Sequence, residues 1–183
     1  QVPPVPAADA AALPLEPPPP PVATSKLAAT EAEWVGLYRR HDYAGALAAA
    51  RRVGVDGLLE SLAVQPLSEL ADAARLGGDA DLALRAFDSM GRRFPTSRQA
   101  ADALFLSGRL FANRGQSTRA QHQFEAYLAR NARGAYFVEA TGRLVEIYAA
   151  GRDVRAKPTA RAYLQYAPDG PYQVLCHSVL AAP

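Results

Sequence analysis

The fold is decided between residues 77 and 134, which hold the segment GGDADLALRAFDSMGRRFP (77–95) and, after a short interval, RGQSTRAQHQFEAYLARNARG (114–134). Laid one over the other, Gly78 meets Gly115, Ala83 meets Ala120 and Phe87 meets Phe124, each pair 37 residues apart. The pattern returns at a spacing of 36, where Gly115, Ala120, Tyr127-Leu128 and Gly134 reappear as Gly151, Ala156, Tyr163-Leu164 and Gly170. Self-similarity at such a period marks stacked supersecondary units, here pairs of helices.

The residue types have physical reasons. A glycine between two helices reaches a left-handed backbone cheaply, closing the first helix so that the chain can reverse. The alanine five residues later lets the second helix approach its neighbour, and the aromatic one turn further on falls on the same face and fills the gap beyond. Pro95 and Pro168 then end their hairpins, because proline does not continue an α-helix.

With Ala71, Gly78, Ala83, Phe87 and Pro95 in one hairpin, this pattern resembles the tetratricopeptide repeat (TPR) family. The next hairpin has Gly108, Phe111, Gly115, Ala120 and Phe124, with Ala132 where the family has proline. The last keeps Gly151, Ala156 and Pro168 but has Ala160 at the aromatic position. The segments RRFPTSRQAADALFLSGRLF (92–111) and AYLQYAPDGPY (162–172) are similar to the bacterial envelope branch. That branch includes periplasmic Tol-Pal coordinators, outer-membrane assembly lipoproteins and helical domains behind FecR-type regulator domains. The resemblance implies an all-α fold, a right-handed α–α superhelix of about four hairpins with a C-terminal capping helix. It implies a non-catalytic scaffold in the bacterial periplasm or cell envelope, with the cytoplasm left open, whose partner is a protein or peptide.

The expected boundaries follow. Residues 1–25 form a Pro/Ala-rich linker and 26–183 the repeat domain, with repeats near 27–62, 66–95, 97–132 and 134–168 and a cap helix at 171–181. Nine of the fifteen prolines precede residue 23. Such a segment favours polyproline II and buries little, which suits a spacer; a ligand for an SH3-like or WW-like partner is the other reading. His41 lies 37 residues before Gly78, making the first repeat a degraded one, with Asp42 capping its second helix. Thr96 with Gln99 forms a capping box for a new helix. Lys157-Pro158 predicts a late start or a kink in the last second helix. Tyr172, Leu175, Cys176 and Val179 form the buried stripe of the cap.

Composition agrees with this reading. The 183-residue, 19.5 kDa chain is 49% hydrophobic and 8% aromatic, so its core is built from alanine, leucine and valine, which suits closely packed helices. A formal charge of +2 is too small to argue for nucleic acid. The one cysteine, Cys176, has no partner for a disulfide within the chain. No apolar run approaches a membrane span. The chain starts at Gln1 instead of Met, which suggests a processed or trimmed protein from which any signal peptide, lipid-attachment cysteine or upstream domain would have been lost.

No catalytic, cofactor or metal constellation emerges. His41, His122 and His177 are scattered, whereas metal sites need clustered donors. Cys176 and His177 point about 100° apart on one helix and form no dyad. There is no phosphate-binding loop, HExxH or GxSxG. The resemblance implies instead a concave groove lined by the first helix of each pair. By register, Asp72, Arg75, Phe105, Arg109, Ala112, Thr141, Val145 and Tyr148 would face it. The lysines and asparagines that clamp a terminal carboxylate in eukaryotic chaperone-binding members are missing. A structural subunit packing through its end helices is the alternative role, the oligomeric state is open, and an enzyme is the least favoured reading.

Overall fold

The computed structural model describes residues 33–131 and 133–182. The linker expected over 1–25 lies outside them. Among the described residues all regular structure is helical: α1 (33–39), α2 (Tyr43–Val53), α3 (Val55–Ser61), α4 (Val64–Leu76), α5 (Ala80–Arg93), α6 (Arg98–Asn113), α7 (Ser117–Arg130), α8 (Phe137–Ala150), α9 (Ala156–Tyr166) and α10 (Gln173–Ala181).

The repeat is written most plainly in the backbone of its turns. The Asp42 N–H donates to Leu37 C=O at 3.0 Å, Asp79 to Ala74 at 2.8 Å, Gln116 to Phe111 at 2.9 Å and Asp153 to Tyr148 at 2.8 Å. These bonds recur every 37 residues, each spanning five residues around a left-handed one, as in a Schellman termination. The left-handed residues are His41, Gly78, Gly115 and Arg152, with φ of 62°, 84°, 70° and 53°. The fourth turn therefore pivots on Arg152, not on the Gly151 expected from the 36-residue alignment; Gly151 stays right-handed at φ −82°.

The missing residue is absorbed immediately afterwards. Ala46, Ala83 and Ala120 donate to the carbonyls of Asp42, Asp79 and Gln116, four residues back, at 2.9, 3.0 and 3.0 Å. Ala156 donates instead to Asp153, only three residues back, at 3.0 Å. This tighter opening turn shifts everything in α9 by one position. Pro158 then falls in the first turn of α9, where its absent N–H is not needed, so the helix starts late instead of kinking.

Each first helix packs on its second, as in α4 with α5, α6 with α7 and α8 with α9, and each second helix also touches the next first helix. The core runs along these contacts. Ala46, Ala83 and Ala120 are fully buried, and Phe124, also fully buried, fills the space beside Gly108. The central helix α6 contacts α5 and α7 on either side, as its broad apolar surface predicts.

Helix starts differ from expectation in small ways. α4 begins at Val64, ahead of Pro66. The cap of α6 is Ser97, whose Oγ accepts the Ala100 N–H at 3.1 Å, instead of Thr96. The short α3 is tied down by Ser89, whose buried hydroxyl donates to Leu59 C=O at 2.6 Å. In α10 only Cys176 is buried, and Tyr172, Leu175 and Val179 are half-buried.

Candidate functional site: the inner face of the first helices

The residues expected in the groove divide into two sets. Asp72, Arg75, Arg109 and Ala112 retain accessible surface. Phe105 and Val145 are fully buried, and Thr141 and Tyr148 nearly so at 4% and 5% exposure. Phe105 stacks on Tyr136 with ring centroids 4.2 Å apart and planes 6° from parallel. The Thr141 hydroxyl donates back to Phe137 C=O at 2.8 Å, and the Tyr148 hydroxyl donates to Glu125 at 2.6 Å. The correction has a simple cause: these four side chains project into the packed core, so they present almost nothing to a partner. Small and apolar types on a first helix do not distinguish its inner face from the face it buries.

Propagating Asp72 and Arg75 by the 37-residue repeat leads instead to Arg109 and Ala112, then to Glu146 and Ala149. The cleft beside Arg75 and the ion pairs of Arg109 add Leu106, Leu110, Asn113, Glu139, Arg143 and Glu146 to the face, all missed from sequence. Arg75, Leu106, Arg109, Leu110 and Asn113 surround a cleft of about 170 Å³ between α4 and α6. Leucine carbons sit between two guanidinium groups and a carboxamide.

The charges alternate along the face. Arg75 donates to Asp72 Oδ1 through Nε at 3.2 Å and Nη2 at 2.9 Å. Arg109 lies 3.8 Å from Glu139, which is also 3.9 Å from Arg143, and Arg143 reaches Glu146 at 3.2 Å. All these side chains are between 29% and 44% exposed, so each pair contributes only about 0–1 kcal/mol and can exchange partners cheaply. Burial, and then the carboxylates of Asp72 and Glu69, raise the Tyr38 phenol above its ordinary value.

Such a surface can hold a peptide through paired charges and leucine contacts. Among the described residues no three His, Cys, Asp or Glu side chains are grouped to hold a metal ion, and no helix is long and apolar enough to cross a membrane. His41, His122 and His177 are all exposed, and His41 Nδ1 lies 2.8 Å from the Tyr43 hydroxyl. Cys176 is fully buried, and burial pushes its thiol above the ordinary value.

Solved structures similar to this chain are TPR-like repeat proteins. A Podosopora anserina protein described as a putative kinesin light chain with nearly identical TPR-like repeats matches with a TM-score of 0.55 at 15% identity, covering 87% of this chain and 86% of its own. A single-residue variant of that protein gives 0.56 at 15% identity, covering 86% and 84%. The MamA protein gives 0.50 at 14% identity, covering 79% of this chain and 93% of its own. No family model and no curated protein matches the sequence. At these identities the likeness establishes the fold: an all-α superhelix of TPR-like hairpins.

Proposed function

We propose that the chain is a non-catalytic protein-interaction scaffold of the bacterial cell envelope, binding a partner peptide along the inner face of α4, α6 and α8. The observation that carries this reading is the ladder of Asp72, Arg75, Arg109, Glu139, Arg143 and Glu146 beside Leu106 and Leu110. Loosely paired charges over an apolar strip suit a side-chain pattern in a peptide and offer no reacting group. The envelope setting rests on the resemblance of residues 92–111 and 162–172, and the proline-rich start supplies a spacer from an attachment point.

A photo-crosslinking residue at Asn113, compared with one at the outward Arg85, tests the proposal in bacterial cells expressing the protein. A discrete adduct from Asn113, absent from Arg85 and lost in the Arg75→Glu/Arg109→Glu background, is the expected result. Adducts that ignore that double change overturn the groove. The second reading, a subunit of a larger assembly, is favoured by one observation: Val174 on the end helix is 81% exposed. Light scattering separates the two, since a strict monomer speaks against self-assembly.

A further inference from the structure

On the other side of α6 from the charged ladder, the surface between α5 and α7 opens into a cleft of about 310 Å³. The repeat explains why it exists. One repeat further on, the junction of α7 and α9 over α8 carries Leu128, Phe137 and Leu144 at the positions of Gly91, Ala100 and Ser107, each 37 residues later. Tyr166 stands where Arg130 does, each being the last residue of its second helix. In that later junction the gap is filled. Leu144 is 3% exposed, and the Phe137 ring meets edge to face the ring of Tyr166, which covers it from the solvent side and is itself 60% exposed, with centroids 4.8 Å apart. The earlier cleft is what remains when three large apolar side chains become glycine, alanine and serine. A methyl group added to Gly91 would meet open space.

The walls supply carbon, from Phe87, Leu104 and Phe111, and the rim supplies charge. Arg92 on the α5 side is neutralised by Asp88 at 2.6 Å and Glu60 at 3.2 Å. Arg130 on the α7 side has no carboxylate partner among the described residues. A void with an apolar wall and one unspent cation at its mouth is shaped for a single anchor side chain.

We propose that this cleft is a second docking site, independent of the inner face, which takes an aromatic side chain of a partner peptide with a carboxylate beside it. The aromatic ring completes the α5–α7 junction as Phe137 and Tyr166 complete the next one. The carboxylate pairs with Arg130. Nothing in this inference requires the groove reading, and the two fail separately.

The probe is the fluorescein-labelled peptide Ser-Asp-Trp-Glu-Ser, titrated into the full chain and followed by anisotropy. Gly91→Leu, which restores the side chain found at Leu128, is expected to weaken binding at least tenfold. Its melting temperature should hold or rise, since glycine is a poor helix residue. Arg130→Glu should weaken this peptide several-fold while leaving Ser-Gln-Trp-Gln-Ser unchanged, and Arg109→Glu on the inner face should have no effect on either. The proposal is overturned if wild type shows no saturable binding, if alanine replaces the tryptophan without loss, or if Gly91→Leu binds equally well. It is also overturned if the chain dimerises in a concentration-dependent way that Gly91→Leu abolishes, because the occupant would then be a second copy.

Discussion

Gly108 of α6 and Phe124 of α7 approach closely at the centre of the stack: a Cβ on Gly108 would lie 2.6 Å from Phe124 Cε1. The glycine is there because the ring is. Gly108→Ala is therefore expected to cost about 1–3 kcal/mol by overpacking, and Phe124→Ala about 3–5 kcal/mol through the cavity it leaves. Because the two share one contact, the double variant should lose clearly less than the sum. Urea unfolding of the three variants decides it. Strict additivity would mean that the helices are held apart by something other than this pair.

A second device repeats between hairpins. The Tyr127 hydroxyl accepts the Tyr136 N–H at 2.9 Å, and the Tyr163 hydroxyl accepts the Tyr172 N–H at 3.2 Å. Gly134 and Gly170 lie so close to these hydroxyls that a side chain at either would displace them. Tyr127→Phe should cost about 1–3 kcal/mol by leaving an inward N–H unsatisfied. Hydrogen exchange should show faster loss of protection at Tyr136, the N-cap of α8, than at amides within that helix. Equal protection in wild type and variant would show that the hydroxyl is dispensable.

The hairpins are legible in sequence because closing a helix and bringing two backbones together restrict residue type, and Gly78, Gly115, Ala83 and Ala120 carry that restriction at fixed spacing. The inner face is not. Neighbouring residues on a helix point about 100° apart, so apolar side chains such as Phe105 and Val145 read equally as groove or core until packing chooses. Arg109 is recognisable and Glu146, one repeat later, is not, because charge does not recur in kind along the register. The fourth turn misleads for another reason. A glycine at 151 attracts the assignment of a left-handed residue, while the backbone bond from Asp153 to Tyr148 puts that residue at Arg152.

The cleft between α5 and α7 escapes for a related reason. Gly91, Ala100 and Ser107 are ordinary helix residues individually, and only their comparison with Leu128, Phe137 and Leu144 reveals removed volume. An alignment of repeats within one chain thus carries information about vacancies as well as about contacts.

Stability should fall at both ends of the pH scale, for opposite reasons. Burial, with the hydrogen bond to Glu125, raises the Tyr148 phenol well above its ordinary value of 10.0, and burial also raises Tyr127 and Tyr172. Below pH 10 the phenols are neutral in both folded and unfolded chains, and their contribution is complete. Above it the unfolded chain releases protons that the folded chain holds, so stability declines towards the raised folded values. Asp153 moves the other way, held at about 2 by hydrogen bonds from the Arg155 side chain and backbone, against an ordinary 3.8. Its contribution is present above pH 3.8 and disappears as pH falls through 2. Urea midpoints measured from about pH 2 to 11 should be flat between about pH 5 and 8; above that the buried Cys176 thiol, raised from its ordinary 9.0, starts the decline and the phenols continue it, and Tyr148→Phe should reduce the slope above pH 10. An unchanged slope in that variant would remove Tyr148 from the explanation.

Arg152 offers the most direct test of the turn register. It holds φ 53°, a left-handed conformation that costs an L-residue with a Cβ about 1–2 kcal/mol. Gly115, one repeat earlier, occupies the same place at φ 70° without that cost. Arg152→Gly should therefore stabilise the chain by about 1 kcal/mol, the gain being trimmed by the greater freedom of glycine in the unfolded state. Gly115→Ala should destabilise it by about 1–2 kcal/mol. Gly151→Ala supplies the contrast, because Gly151 is right-handed and its nearest neighbour to an added Cβ, the Ile147 carbonyl oxygen, lies 3.4 Å away, so that variant should be neutral or slightly stabilising. Thermal melts that rank Gly151→Ala as the damaging change and Arg152→Gly as neutral would return the pivot to residue 151 and break the uniform 37-residue spacing of the turns.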